Sequence, residues 1–185
     1  LKNSTNMLLC GEDLGMVPAC VPGVMQELGL LSLEVQRMPK DPALEFGLTG
    51  EYPYLSVATP SSHDTSTIRG WWEENRDKTQ LFYNKVLRLQ GKAPETCTPE
   101  IVTRIINQHL VSPSMWAVFP IQDLLGMDEK LRLPDPRAER INEPGIPEHY
   151  WQYRLHVTVE QLMKENGFNG TLRKMIHDSG RNKVY

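Results

Sequence analysis

Short apolar runs alternate with helical patterns along this chain, and that alternation limits it to folds built on a parallel sheet. The run Met7–Cys10 has the pattern of a buried strand, and the run from Leu31 to Met38 predicts a second. Further runs at Tyr54–Thr59 and Met115–Phe119 predict two more strands. Successive strand–helix units imply parallel strands with right-handed crossovers. Four such strands fit half of an eight-stranded barrel or a small open sheet.

Apolar residues at helical spacing predict helices between and after these strands. The first has Met25 on its apolar face and ends at Gly29. The second, capped by Thr65 or Ser66, runs through the pair Trp71–Trp72. The other predicted helices lie at about 78–89, 99–110, 122–125, 147–165 and 171–177. We expect one partial catalytic domain over residues 1–165, with 166–185 as its C-terminal helix and tail.

The composition is that of a soluble globular protein without a nucleic-acid or membrane partner. Apolar residues make up 39% of the 185, the mean hydropathy is -0.43 and the net charge is -3. Nucleic-acid binding would normally require a basic face. No apolar run approaches the ~20 residues of a membrane span. Neutral sugars suit this charge balance, as do many other uncharged ligands.

The cysteines predict free thiols in a reducing, cytoplasmic setting. Cys10, Cys20 and Cys97 are odd in number and widely spaced, which argues against a disulfide framework. Buried thiols are the expected state. No CxxC motif or Cys/His cluster marks a metal site, so we expect no metal.

Polar clusters follow three of the predicted strands, where a parallel barrel gathers its chemistry. They are Gly11-Glu12-Asp13, Ser61-Ser62-His63-Asp64 and Gln122-Asp123. Such a placement predicts a functional site at the carboxyl ends of the strands.

Glu12 and Asp64 are the candidate catalytic carboxylates. Burial at a strand end would raise the pKa of Glu12 and suit a general acid, but an acid favoured by a helix dipole has the same pattern. Asp13 fits an orienting or capping partner. His63 and Asp64 could hold sugar hydroxyls, or cap a helix beside a surface histidine. Glycoside chemistry uses a carboxyl pair across the scissile bond, and retaining enzymes separate the two by about 5–5.5 Å.

The aromatic residues allow either core packing or sugar stacking. Core packing is expected for the pair Trp71–Trp72 and for Trp116 on the fourth strand. Tyr150, Trp151 and Tyr153 lie near the end of a loop with four prolines, residues 134–147. A sugar platform is possible there, and packing within a helix is the expected arrangement.

Four blocks of sequence resemble glycoside hydrolase family 77, the amylomaltases or disproportionating enzymes. They are GEDLG, SSHDTSTIRGWW, FPIQDLLGM and INEPGIPEHYWQYRL, in the family's order and with similar spacing. The flanking text is most similar to the cytosolic type of plants and some protists, which acts on maltose in starch and glycogen metabolism. Residues 78–98 and 133–147 fit that larger type better than the short bacterial one, which favours a polysaccharide acceptor.

The resemblance implies a fold, an activity and a set of site residues. The fold would be α/β, namely the C-terminal half of a (β/α)8 TIM barrel, about strands 5–8 with helical insertions. Glu12 would be the general acid/base and Asp64 the transition-state stabiliser. Substrate binding would involve His63, Asp13 and Asn142, whereas Gln122 and Asp123 fit a structural role. The substrates would be α-1,4-glucans such as maltose, maltodextrin, glycogen or heteroglycan, with no cofactor.

The family's nucleophile is an aspartate in an Arg-x-Asp context, and no residue of this chain matches it. The chain also begins with Leu1 rather than Met, so we expect a fragment that needs the upstream half of the barrel for activity. Two alternatives remain open. The isolated chain could be a non-catalytic glucan-binding or incomplete module, or the parent protein could be an α-glucan hydrolase of the same clan.

Overall fold

The computed structural model describes residues 2–182, which divide into two compact units. The first comprises the described residues of Leu1–Thr59 together with Ser112–Val118. The second comprises Pro60–Val111 together with the described residues of Phe119–Tyr185.

The first unit contains a three-stranded parallel sheet. Strands β1 (Ser32–Val35), β2 (Ser56–Thr59) and β3 (Trp116–Ala117) lie in the order β1-β2-β3. In the register, Ser32 faces Ser56 and Val57 faces Trp116. This arrangement confirms the predicted parallel α/β class, although all three strands are shorter than the apolar runs that predicted them.

Helix α1 (Val21–Leu28) precedes β1 in the same unit. It ends as predicted at Gly29, whose φ of 62° is left-handed, a conformation that glycine adopts without the strain of a Cβ. Met25 is buried on its inner face. Short 3-10 turns at Lys2–Ser4 and Thr49–Glu51 complete the regular elements of this unit.

The predicted strand at Met7–Cys10 is wrong. This segment makes a single parallel bridge, from Cys10 to Leu31, and Leu31 donates its N–H to the carbonyl of Leu9 at 2.9 Å. The Met7 and Leu8 side chains are 73% and 52% exposed. Because a single bridge leaves most of the apolar surface of this segment uncovered, the segment does not form a longer strand.

The second unit is helical. Its helices are α2 (Ile68–Glu74), α3 (Arg76–Lys85), α4 (Pro99–Leu110), α5 (Ile121–Leu125), α6 (Val159–Lys164) and α7 (Asn166–Asp178). Helix α4 is amphipathic and buries Ile101, Val102, Ile105 and Ile106. A 3-10 turn covers Pro136–Glu139 within the proline-rich loop.

The cap of α2 is one residue later than predicted. Thr67, rather than Thr65 or Ser66, accepts the N–H of Gly70 with its side chain. Thr65 instead accepts the N–H of Ser62 at 2.9 Å and closes the preceding turn. The N–H groups of the first turn have no acceptor within the helix, and Thr67 supplies one to Gly70, whereas the Thr65 hydroxyl serves the preceding turn.

The predicted helix over 147–165 is also wrong for its first half. Residues 150–157 have no helical turns, and α6 begins only at Val159, where Thr158 and Gln161 form a capping box. Leu155 and Val157 pack against a buried cluster of Leu125, Leu131 and Phe168. Both side chains reach one apolar surface from an irregular backbone that bends at residues 156–157, and that packing overrides the helical pattern.

Three aromatic expectations have different outcomes. Trp72 is fully buried and Trp71 is half-buried beside Phe82, with ring centroids 5.1 Å apart. Trp116 is 53% exposed, so the expected core packing is wrong for that residue within the described chain. Tyr150 and Trp151 are exposed, and neither they nor Tyr153 are helical, so the expected packing within a helix is wrong for all three.

Candidate functional site

The His63–Asp64 pair lies on a tight turn that follows β2 in the chain. Thr65 donates its N–H to the carbonyl of Ser62 at 3.3 Å, and the Asp64 N–H lies 3.3 Å from the Ser62 hydroxyl. Both pair members keep about half of their side-chain surface in solvent. Because His63 Nε2 is 3.1 Å from Asp64 Oδ2, the turn presents an imidazole and a carboxylate together.

Asn142 completes this pair from 78 residues further along the chain. Its Nδ2 donates to Asp64 Oδ1 at 2.7 Å, and its backbone N–H donates to the carbonyl of His63 at 3.1 Å. Asn142 is buried, with 4% of its surface exposed. Each oxygen of Asp64 therefore has a fixed neighbour, Asn142 on one side and His63 on the other, which orients the carboxylate.

The loop that carries Asn142 is held by charged and polar contacts. Arg140 donates its Nε to the Asn142 carbonyl at 2.9 Å, and its Nη1 lies 3.6 Å from Glu74 of α2. His149 Nε2 lies 3.0 Å from the carbonyl of Ile141. These contacts fix the loop backbone on both sides of Asn142.

A buried ion pair anchors the same loop to α2. Arg69 donates through Nη1 to the Glu139 carboxylate and, at 2.8 Å, to the carbonyl of Leu133. Thr67 donates its hydroxyl to Glu139 at 3.0 Å. Burial raises the pKa of Glu139, although the Arg69 guanidinium and the two hydrogen bonds act in the opposite direction.

Gln122 and Asp123, for which the resemblance implies a structural role, are both buried. Asp123 is 1% exposed and accepts the N–H of Ile68 at 2.7 Å as well as the hydroxyl of Ser61. Gln122 donates its side-chain amide to the carbonyl of Glu139 at 3.2 Å. They join α5 to the start of α2 and to the proline-rich loop.

Trp151 lies against His63. Their ring centroids are 4.9 Å apart and the ring planes are inclined by 41°. Sequence reasoning missed this contact, as it missed the hydrogen bond between Asn142 and Asp64. The only signal for either was the presence of Asn142 and Trp151 in one block, INEPGIPEHYWQYRL, with no pattern that joins it to His63.

Glu12 and Asp13 lie in the first unit, in different environments. Glu12 is exposed, and its Oε1 accepts the N–H of Leu14 at 2.7 Å. The expected partial desolvation of Glu12 is therefore wrong within the described chain, because the local turn holds its carboxylate at the surface. Asp13 is the buried member, with 7% of its surface exposed.

Asp13 is held by a charged network on β1. Its Oδ1 accepts the N–H of Leu33 at 2.9 Å, and its Oδ2 accepts Lys40 Nζ at 2.7 Å. Lys40 also lies 2.7 Å from Glu34. Both oxygens of Asp13 are thus occupied by protein donors, and they tie the backbone next to Glu12 to the sheet.

The cysteines are free thiols but not all buried. Cys97 is buried, and burial raises the pKa of its thiol. Cys10 and Cys20 are exposed, so the expectation of buried thiols is wrong for these two. Among residues 2–182, no group of three or more His, Cys, Asp or Glu residues is placed to hold a metal ion. No helix in that part of the chain is long and apolar enough to span a membrane.

Comparison with known proteins connects most of the chain to one family of enzymes. Residues 1–159 match the model of glycoside hydrolase family 77, described as 4-alpha-glucanotransferase. The chain is 48% identical over 181 residues to the 4-alpha-glucanotransferase DPE2 of Oryza sativa subsp. japonica. It is 31% identical over 179 residues to the 4-alpha-glucanotransferase of Chlamydia pneumoniae.

The matches cover nearly all of this chain but a minor part of each relative. They span 98% of the chain and 19% of the rice protein, and 95% of the chain and 34% of the chlamydial one. Among solved structures, the amylomaltase from Streptococcus agalactiae in complex with acarbose superposes with a TM-score of 0.71 at 17% identity. That match covers 97% of this chain and 33% of the amylomaltase, and it shows a shared α/β fold.

Proposed function

The chain belongs to the 4-alpha-glucanotransferase family, glycoside hydrolase family 77, and we propose that it forms part of a longer protein that transfers glucosyl or glucanosyl units between α-1,4-glucans. The observation that carries this proposal is the oriented Asp64 carboxylate, held by Asn142 and His63, in a chain whose first 159 residues match the family. Maltose and maltodextrin are the proposed donors, and glycogen or heteroglycan the proposed acceptor.

The proposed fold of the catalytic domain is a (β/α)8 barrel whose last four strand–helix units lie in this chain. The parallel order β1-β2-β3 and the parallel bridge at Cys10 support it. We also propose that residues 1–165 contribute to the catalytic domain and that 166–185 form its C-terminal end. The cytoplasmic location remains a prediction from the resemblance to the cytosolic plant and protist type.

The proposed reaction is a retaining double displacement. An aspartate supplied by the upstream part of the protein attacks the anomeric carbon, and the glycosidic bond to the leaving sugar breaks. Glu12 gives its proton to the departing oxygen, so a glycosyl ester of the aspartate and a free sugar result. Glu12 then removes the proton of an acceptor 4-hydroxyl, which forms the new bond to the anomeric carbon and releases the aspartate.

Asp64 and its neighbours act on charge and orientation in this proposal. As an ionised carboxylate, Asp64 stabilises the positive charge that develops on the sugar ring. His63 hydrogen-bonds a sugar hydroxyl, and Asn142 keeps Asp64 aligned through its side-chain amide. For Asp13, the network with Leu33 and Lys40 supports the orienting role rather than direct sugar binding.

Product analysis tests the proposed activity. The whole protein is incubated with maltose and glycogen, and the products are separated by chain length. Transfer releases free glucose and lengthens the outer chains of the glycogen. Hydrolysis alone, seen as new reducing ends without elongation, would contradict the proposal and favour the α-glucan hydrolase.

The roles of Glu12 and Asp64 can be distinguished with α-maltosyl fluoride, a donor whose leaving group needs no protonation. Glu12→Gln should slow transfer from maltose by about 10²–10⁴-fold, the usual contribution of a general acid/base. With α-maltosyl fluoride, the same variant should still form the glycosyl enzyme and release fluoride rapidly in the first turnover. Asp64→Asn should impair both donors, because each passes through the same charged ring. Equal losses on both donors for Glu12→Gln would contradict its assignment.

A further inference from the structure

Trp151 is an exposed aromatic side chain placed directly beside the proposed sugar-binding pair. It keeps 62% of its surface in solvent, whereas Trp72 in the same unit keeps none. Its ring touches the His63 ring with centroids 4.9 Å apart. Since the planes are inclined by 41° rather than stacked, His63 leaves much of the indole surface open.

The backbone that carries Trp151 is anchored on both sides. Upstream, His149 Nε2 lies 3.0 Å from the carbonyl of Ile141, next to Asn142. Downstream, His156 Nε2 lies 2.7 Å from the carbonyl of Leu131, and Leu155 packs on the adjacent buried cluster. A side chain on an anchored segment loses little further freedom when a ligand binds it, so its contact area contributes to affinity.

An open indole face next to a hydroxyl-binding pair matches the chemistry of a pyranose ring. The ring of a glucose unit has C–H bonds on its two faces and hydroxyls around its rim. The C–H hydrogens carry partial positive charge and pack favourably on the negative face of an aromatic ring. Meanwhile the rim hydroxyls need polar partners such as His63 and Asp64.

We propose that Trp151 is a sugar-stacking platform that binds a glucose unit of an α-1,4-glucan, next to the unit that His63 and Asp64 hold. The proposal rests on the proposed function, whose substrate-binding surface it extends. Trp151 supplies apolar contact to one face of a glucose unit, while His63 forms the polar border of the platform. Trp151 takes no part in proton transfer or charge stabilisation.

The test compares variants of the whole protein by titration with maltoheptaose in a calorimeter and by transfer kinetics. Trp151→Ala should raise the dissociation constant and the KM by about tenfold, with kcat changed by less than about twofold. Trp151→Phe retains a smaller aromatic face and should weaken binding by about threefold. Tyr150→Ala is the matched control, since Tyr150 precedes Trp151 on the same segment and is 79% exposed. It should bind within about twofold of the wild type.

Several outcomes would overturn the proposal. Unchanged affinity in Trp151→Ala would exclude stacking, and a fall in kcat at unchanged KM would indicate that Trp151 only orients His63. Should Trp151→Ala fail to fold, Trp151→Leu keeps an apolar side chain without an aromatic face, and unchanged affinity in that variant would exclude stacking. The calorimetric titrations use the Glu12→Gln background, in which turnover of maltoheptaose is slowed about 10²–10⁴-fold, so the binding readout is separated from catalysis. A wild-type protein that binds maltoheptaose but transfers nothing would overturn the proposed function, and the Trp151 comparison would still stand.

Discussion

Among the single side chains, Asp64 has the environment that sequence reasoning could least anticipate. One of its oxygens accepts the Asn142 amide at 2.7 Å, and the other lies 3.1 Å from His63. A hydrogen bond to a charged group contributes about 1.5–3 kcal/mol, more than a bond between neutral groups. Because Asn142 is buried and Asp64 is half-exposed, the amide orients a carboxylate that is still open to substrate.

Asn142→Ala should therefore lower kcat/KM for maltose by about 10- to 100-fold, since it removes the donor to Asp64. Asn142→Asp should be worse at neutral pH, because it places a second carboxylate at hydrogen-bond distance from the first. Like charges raise the pKa of such a pair, so this variant should recover part of its activity as the pH falls. Steady-state rates over a pH series measure both effects.

Glu143→Gln is the control for these variants, since Glu143 follows Asn142 on the same loop and should tolerate the change within about twofold. If Asn142→Asp kept the wild-type rate with an unaltered pH profile, the orienting role of Asn142 would be refuted.

At the level of helices and loops, a buried charge pair attaches the proline-rich loop to α2. Arg69 and Glu139 are nearly inaccessible, with side-chain exposures of 6% and 2%. Removal of one partner from a buried pair leaves the other charge uncompensated and costs about 3–5 kcal/mol. The position of the loop that carries Asn142 thus depends on an ion pair whose two members are 70 residues apart in the sequence.

Arg69→Met should lower the free energy of unfolding by about 3 kcal/mol at neutral pH, and this penalty should shrink in acid. Burial already raises the pKa of Glu139, and loss of the guanidinium raises it further. A raised pKa means that the folded protein binds this proton more tightly than the unfolded chain, so stability increases as the pH falls through that pKa. Denaturant unfolding of the wild type and the variant, at neutral and mildly acidic pH, measures the difference.

The double variant Arg69→Met/Glu139→Met is the matched control, because replacing both charges by apolar groups is often close to neutral. It should regain most of the lost stability and respond less to pH. A single variant as stable as the wild type at neutral pH would show that the pair does not anchor the loop.

At the level of the whole chain, the first unit leaves apolar side chains and strand edges uncovered. Within residues 2–182, β3 is hydrogen-bonded along one side, to β2, and Trp116 in β3 and Val118 directly after it are more than half exposed. Met7 and Leu8 are similarly exposed near the Cys10 bridge. Unpaired edges with apolar side chains promote association with other chains.

The purified 185-residue chain should accordingly self-associate and lack transferase activity. Association follows from the uncovered edges, and inactivity from the absence of any residue that matches the family's nucleophile, without which no glycosyl ester forms. Light scattering after size-exclusion chromatography measures the first expectation, and glucose release from maltose measures the second. A monomeric chain that disproportionates maltose at a rate like that of the whole protein would refute both.

The order of elements followed from local chemistry. Apolar runs located β1, β2 and β3 to within a few residues, Gly29 marked the end of α1, and helical spacing located α3 and α4. These features depend on interactions between near neighbours in the chain, so the residues themselves carry the information. The family could likewise be predicted from the sequence, because four short blocks of residues are enough to indicate it.

The arrangement of the proposed site depended on tertiary contacts instead. Nothing in the local pattern joins Asn142 to Asp64 or Trp151 to His63, because the first contact crosses 78 residues of chain and the second about 90. Local pattern also favoured a helix over 150–157, where packing against the cluster at Leu131 accompanies an irregular, non-helical backbone. Amino-acid order therefore determined which chemical groups are present and which elements carry them. Only the packing of distant segments decided which groups meet, because burial and hydrogen-bond partners are properties of the folded chain.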